Sequence, residues 1–126
     1  MKYKLTDETL LHNGRTLHRI EALKSFSIVQ AGEKGGWVES EDNLSQKGHC
    51  WVADEAKVYH WARVHDDAYV GDTAEVCEAA IISDTAMVWG DARVRGRCQV
   101  YGRGLVETGE HAGNLHIFRT RERVKR

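Results

Sequence analysis

From residue 50 onward the chain repeats with a period of six. Every sixth residue from Cys50 is small: Cys50, Ala56, Ala62, Ala68, Ala74, Ala80, Ala86, Ala92, Cys98 and Gly104. Every sixth residue from Val52 is β-branched and aliphatic: Val52, Val58, Val64, Val70, Val76, Ile82, Val88, Val94, Val100 and Val106. Two such positions, two residues apart, share one side of a strand, and the residue between them faces outward. The other three residues of each hexad are rich in Gly, Asp, Glu and Thr, as in Val70-Gly71-Asp72-Thr73-Ala74, which suits a corner. An α-helix would carry residues six apart around its axis and off any one face. One short strand and one bend per hexad, stacked coil on coil, satisfies all ten hexads at once. The pattern predicts an all-β chain built as a parallel β-solenoid.

The flanks read differently. Thr9 to His18 turns at Asn13-Gly14, a strong short hairpin signal, and predicts a β-hairpin within an N-terminal cap spanning residues 1–49. Gly35-Gly36 reads as a turn into the array. Val38, Leu44 and Cys50 keep the six-residue phase, so a degenerate coil is expected to begin near residue 37. The solenoid proper is assigned to residues 50–109. Residues 110–126 are read as a covering strand around Leu115–Phe118, followed by a basic tail that is expected to be a solvated end.

The pairing of an aliphatic residue with a small one four positions later resembles the hexapeptide repeat of left-handed β-helices. That resemblance implies a left-handed coil of triangular section with three hexads per turn, hence about three coils. A second resemblance covers the cap. Lys2-Tyr3-Lys4-Leu5-Thr6-Asp7-Glu8, Gly14-Arg15-Thr16-Leu17-His18-Arg19-Ile20, Ala31-Gly32-Glu33-Lys34-Gly35-Gly36-Trp37-Val38-Glu39 and Asn43-Leu44-Ser45 are similar to the start of small phage- and prophage-encoded hexapeptide proteins. It implies a phage or prophage origin and brings no assigned activity.

Stacking at 18 residues sorts the outward positions into columns on three faces. One face carries Trp51, Tyr69, Met87 and Leu105 in one column, with Trp89 in the next, and is apolar along its height. A second carries Lys57, Glu75 and Arg93, an opposite-charge ladder, beside Tyr59, Cys77 and Arg95. The third carries Arg63, Ile81 and Gln99 beside His65, Ser83 and Tyr101. A contiguous apolar face needs a cover or a partner. The N-terminal hairpin or the 115–118 segment, a second copy of the chain in a trimer, and a different protein are the three candidates. Trp51, Tyr69, Met87, Trp89 and Leu105 are accordingly the expected partner-binding residues.

Composition narrows the function further. Hydrophobic residues make up 41% and charged residues 29%, which excludes a disordered tail, and no apolar run is long enough to span a membrane. The first residues lack an apolar secretory region, so the cytoplasm of a bacterial host is the expected compartment. The three cysteines lack CxxC spacing, which argues against a disulfide scaffold or a zinc site. Cys50 and Cys98 read as core residues and Cys77 as outward. A net charge of -1 hides a strong polarity: residues 1–49 sum to zero, 50–91 to -7 and 92–126 to +6. The charge argues against direct nucleic-acid binding. The acidic stretch, including Asp54, Asp66, Asp67, Asp72, Glu78 and Asp84, has two readings. It imitates a nucleic-acid backbone for a basic groove on a host protein, or it reflects the preference of corners for Asp.

Candidate catalytic chemistry is sparse. Hexapeptide acyltransferases use a histidine base at a subunit boundary, and His60 and His65 are the candidates here. The same two residues have the five-residue spacing found in hexapeptide carbonic anhydrases. A third zinc ligand at matching height is missing, because His49 fits poorly. No metal set, cofactor or catalytic residue is therefore assigned. The expected function is a non-enzymatic binding module, a phage accessory protein that engages a host protein such as a defence or regulatory component. The alternative is a trimeric hexapeptide-type acyltransferase.

Overall fold

The computed structural model describes residues 1–118; the basic tail lies outside the described residues. Two long strands, β1 (Tyr3–His12) and β2 (Arg15–Ala22), form the predicted antiparallel hairpin. Its turn is Asn13 at φ 51° and Gly14 at φ 78°, the backbone that Asn-Gly favours. A strand β3 (Lys34–Val38) and a single 3₁₀ turn (Glu41–Asn43) lead into twelve two-residue strands. These are β4 (Trp51–Val52), β5 (Lys57–Val58), β6 (Arg63–Val64), β7 (Tyr69–Val70), β8 (Glu75–Val76), β9 (Ile81–Ile82), β10 (Met87–Val88), β11 (Arg93–Val94), β12 (Gln99–Val100), β13 (Leu105–Val106), β14 (Glu110–His111) and β15 (His116–Ile117). Among the described residues no helix is long and apolar enough to cross a membrane.

The short strands stack into three parallel sheets that wall a solenoid of about four turns. Their orders are β3-β5-β8-β11-β14, β4-β7-β10-β13 and β6-β9-β12-β15. Each rung bonds to the one above, as in Tyr69 N–H to Ala86 O at 3.0 Å and Gly71 N–H to Val88 O at 2.9 Å. Proline would remove such a donor, and the chain contains none. The two inward columns fill the interior: Ala56, Ala62, Ala68 and Ala74 are fully buried beside Val52, Val58, Val70 and Val76. Alternating a small with a branched residue lets three walls approach one axis without voids.

Coil length is regular only in the middle. Trp51 pairs with Tyr69 and Lys57 with Glu75, each 18 residues apart. At the bottom Trp37 pairs with Lys57 and Leu44 bridges to Val64, both 20 apart. The first coil therefore begins near residue 37 as expected, but Gly35-Gly36 lie within β3 and not in a turn, and Cys50 does not follow Leu44 in phase. Two extra residues sit between Leu44 and Val52. At the top Arg93 pairs with Glu110 and Gln99 with His116, 17 apart. The segment expected to lie across the apolar face is thus a further rung: β15 extends the sheet of β12, and Phe118 stacks on Tyr101 at 5.4 Å.

The hairpin closes the bottom by pairing β2 antiparallel to β3, so it prolongs the sheet of the second face. Its tip curls along that face and not along the apolar one. His12 Nε2 lies 3.1 Å from Glu75 Oε2, Asn13 donates to the Tyr59 hydroxyl at 3.0 Å, and Tyr59 donates to Glu75 Oε1 at 3.1 Å. Leu10, Leu17, Trp37, Tyr59 and Cys77 pack together beneath it. The second face is therefore partly covered, and Cys77, outward as predicted, is nonetheless buried.

Candidate functional site

The corners decide where the acidic side chains point. Each regular corner is a four-residue turn, such as Gly71–Ala74, closed by Ala74 N–H to Gly71 O at 3.2 Å. Its first central residue adopts a left-handed backbone, and that position is Asp54, His60, Asp66, Asp72, Glu78, Asp84, Gly90, Gly96 and Gly102 in nine successive hexads. Asp tolerates this region better than most side chains. Its carboxylate then turns upward and accepts the N–H of the corner 18 residues later. Asp72 N–H donates to Asp54 (3.1 Å) and Gly90 N–H to Asp72 (3.0 Å) on one edge. On another edge Asp84 N–H donates to Asp66 (3.1 Å) and Gly102 N–H to Asp84 (2.8 Å).

On the third edge Glu78 N–H donates to His60 Nδ1 (3.2 Å) and Gly96 N–H to Glu78 (2.9 Å). A backbone N–H only donates, so this bond gives His60 the tautomer with its proton on Nε2. Five of the six acidic-band residues thus have a structural task as rungs of carboxylate ladders. Asp67 is the exception in position, but it too accepts a backbone N–H, from His49 at 3.0 Å.

Of the residues expected on the apolar face, the structure separates Trp51 from the rest. Trp51 is only 2% exposed, because Tyr3 and Phe26 of the cap meet its ring edge-on at 6.4 and 5.4 Å. The cap thus covers the bottom of this face through Tyr3 and the Phe26–Val29 turn, not through the hairpin tip. Tyr69, Met87, Trp89 and Leu105 remain half-buried above it. The Tyr69 ring covers Gly71, where an added Cβ would come within 2.7 Å of the ring.

Between the overhanging cap loop and these residues runs an open groove of about 650 Å³, lined by Ser27, Ile28, His49, Asp67, Tyr69, Asp72, Thr85, Met87 and Trp89. Tyr69, Met87, Trp89 and Ile28 make its apolar wall, and Ile28 is 79% exposed. The carboxyl groups of Asp67 and Asp72 line it as well. Burial pushes the Tyr69 phenol above its ordinary value, and the charges of Asp54, Asp72 and Glu33 push it further. His49 stacks on Phe26, and its Nδ1 lies 3.8 Å from Asp67 Oδ1. Of the two histidines singled out as bases, His60 sits at a corner and His65 faces out beside Asp66 (3.3 Å), and neither lines this groove.

Ser27, Ile28 and His49 were not legible as groove residues. They lie outside the hexads, and only the fold brings the 23–33 excursion against the face of β7 and β10. The one signal in the sequence is an apolar residue, Ile28, in a segment that belongs to no hexad.

No family model matches the chain. A 42-residue stretch, 33% of this chain, is 40% identical to an uncharacterized acetyltransferase, YdcK, of Escherichia coli strain K12. The match spans 13% of that protein's length. It agrees with a hexapeptide-repeat solenoid.

Proposed function

We propose that the protein is a binding module whose groove takes an extended segment of a partner protein, with an aliphatic or aromatic side chain flanked by Lys or Arg. The carrying observation is the groove itself: an apolar wall of Tyr69, Met87, Trp89 and Ile28 with the carboxylates of Asp67 and Asp72 beside it. An apolar side chain is desolvated against the wall, and cationic neighbours meet the anions, which supplies both affinity and register. The walls are preformed, so little ordering free energy is spent on the solenoid side. The cap's resemblance to phage-encoded proteins makes a bacterial host protein the expected source of that segment.

The test is selection of a displayed random-peptide library on the whole protein, with counter-selection on a folded Tyr69→Arg, Met87→Arg variant. The reading expects enriched peptides with an apolar residue between basic ones, bound at least tenfold more weakly by the variant. Enrichment without that pattern, or equal binding by the variant, overturns it.

A second reading, acyl transfer, is favoured by the similarity to YdcK, named an acetyltransferase, and by a different histidine from those expected. His49 stands in the groove beside Asp67, an arrangement that lets an imidazole take a proton from an acceptor while a carboxylate steadies the imidazolium. Release of free thiol from acetyl-CoA in the presence of amine acceptors, abolished by His49→Ala, would select this reading over the first.

A further inference from the structure

The two extra residues of the first coil build a pocket for the N-terminus. Gln46 Oε1 accepts the backbone N–H groups of Lys2 (2.8 Å) and Tyr3 (3.2 Å), and Gln46 Nε2 donates to Tyr3 O at 3.1 Å. This anchoring drives the Lys2 side chain inward until the residue is 1% exposed. Its Nζ donates to the carbonyls of Cys50 (2.8 Å), Gly48 (3.3 Å) and Lys47 (3.5 Å), and it lies 5.1 Å from the centre of the Phe26 ring. The same nitrogen is 3.3 Å from Cys50 Sγ, a fully buried free thiol. A lysine amine and a cysteine sulfur are thus held in contact, both beneath one exposed loop, 47–49.

We propose that Lys2 and Cys50 form a reversible covalent bridge when the protein meets hydrogen peroxide, stapling the cap to the first coil. In the first step the Cys50 sulfur attacks one peroxide oxygen and the O–O bond breaks. The departing hydroxide takes a proton from the Lys2–Cys50 pair and leaves as water, giving a sulfenic acid beside a neutral amine. In the second step the Lys2 nitrogen attacks that sulfur, an N–S bond forms, and the S–O bond breaks. Hydroxide leaves with the amine proton as a second water. One peroxide is reduced, the sulfur is oxidised by two electrons, and the sum is thiol plus amine plus peroxide to sulfenamide plus two waters. Thiol reductants reverse it by attacking the N–S bond.

Burial favours the chemistry in two ways. It lowers the Lys2 amine from its ordinary value, so the uncharged nucleophile that the second step requires is accessible; the same burial raises the Cys50 thiol, so the first step draws on a small thiolate fraction and is the slow one. It also slows capture of the sulfenic acid by solution thiols relative to attack by the adjacent amine, as it slows the later reduction of the bridge. The other cysteines lack this geometry. Cys77 lies beside the Tyr59 phenol, and Cys98 Sγ approaches the Gly113 carbonyl at 4.0 Å.

The experiment treats the whole folded protein with peroxide, then measures intact mass and maps tryptic peptides without reduction. The expected product is about 2 Da lighter, with residues 1–4 joined to residues 48–57, and dithiothreitol restores both peptides. A Cys77→Ala, Cys98→Ala variant should behave alike, and Lys2→Arg should convert the product to oxidised Cys50 without a bridge. A joined peptide pair carrying one additional oxygen is the same bridge after a second oxidation and also supports the proposal. Cys50 recovered as sulfinic acid, or unreacted under conditions that oxidise Cys77, with no joined peptides in the native protein, would overturn it and leave Lys2 as a carbonyl clamp alone.

Discussion

The carboxylate ladders make a graded prediction at Asp72. Its side chain accepts Gly90 N–H at 3.0 Å, and its backbone stands at φ 55°. Two separable contributions therefore act at one residue. The hydrogen bond has an ionised acceptor, but the corner is exposed and water replaces it when lost, so its net worth is about 1 kcal/mol. A residue with a Cβ but no local hydrogen bond is disfavoured in the left-handed region by about 1 kcal/mol. Asp72→Asn keeps an acceptor and the backbone preference and should lose the least. Asp72→Gly loses the bond but relaxes the backbone. Asp72→Ala loses both, about 2 kcal/mol, which at roughly 4 °C per kcal/mol for a chain of this size lowers the melting midpoint by about 8 °C. Thermal melts followed by far-ultraviolet circular dichroism give the order. The reasoning fails if the Ala variant melts with the wild type, or if the Asn variant falls as far as the Ala variant.

Four further outcomes follow from the packing. Ala68→Leu forces extra volume between close-packed walls, and Val70→Asp buries an unpaired carboxylate. Each should abolish the cooperative melting transition, and a normal melt for both would refute the packing argument. The Asp66 carboxyl is held below its ordinary range by the Asp84 N–H and next by His65. A lowered folded value adds stability above the unfolded value of about 3.9 and loses it as pH falls through the folded one. Urea titrations from pH 5 to about pH 2 should therefore show a smaller acid loss in Asp66→Asn than in the wild type. Lys2→Met takes a donor from three carbonyls at the base of the first coil and should lower the unfolding free energy by about 2 kcal/mol in urea. Gly71→Ala should push the Tyr69 ring aside, shifting its aromatic proton resonances while the melting midpoint moves by less than about 4 °C.

The middle of this molecule was legible because its physics is periodic. A single rule, small and branched residues inward with a corner between, fixes Ala56 to Val100 without reference to any other segment. The hairpin was legible for an equally local reason, since Asn13-Gly14 specifies its own turn. What the sequence did not reveal is non-local. The extra pair of residues before Val52 is invisible until Gln46 and Lys2 meet, 44 residues apart. Likewise, an apolar column on the first face and a hairpin in the cap suggested a cover, yet Tyr59 and Glu75 draw the hairpin tip to the second face. The acidic band was read in two ways, and the hydrogen bonds of Asp54, Asp66, Asp72, Glu78 and Asp84 give the corner reading a specific mechanism.

That mechanism bears on how the groove works. A corner carboxylate that accepts a backbone N–H at 3.0 Å is positioned by the ladder and not by side-chain entropy, so Asp72 presents its charge at a fixed height beside Tyr69. The part of the lining that the cap supplies is different in kind. Ser27 and Ile28 hang on a short turn closed by the paired bonds of Phe26 and Val29, at 2.9 and 2.8 Å, outside the stacked rungs. Part of the lining is therefore set by the repeat and part by the cap, and the cap is tied to the first coil through Tyr3, Phe26 and Lys2. Groove width thus depends on cap seating, and so does Asp67, which the His49 N–H holds, while the position of the Asp72 charge does not. Substitutions at the base, such as Lys2→Met, should weaken apolar recognition more than they weaken recognition of the flanking basic residues.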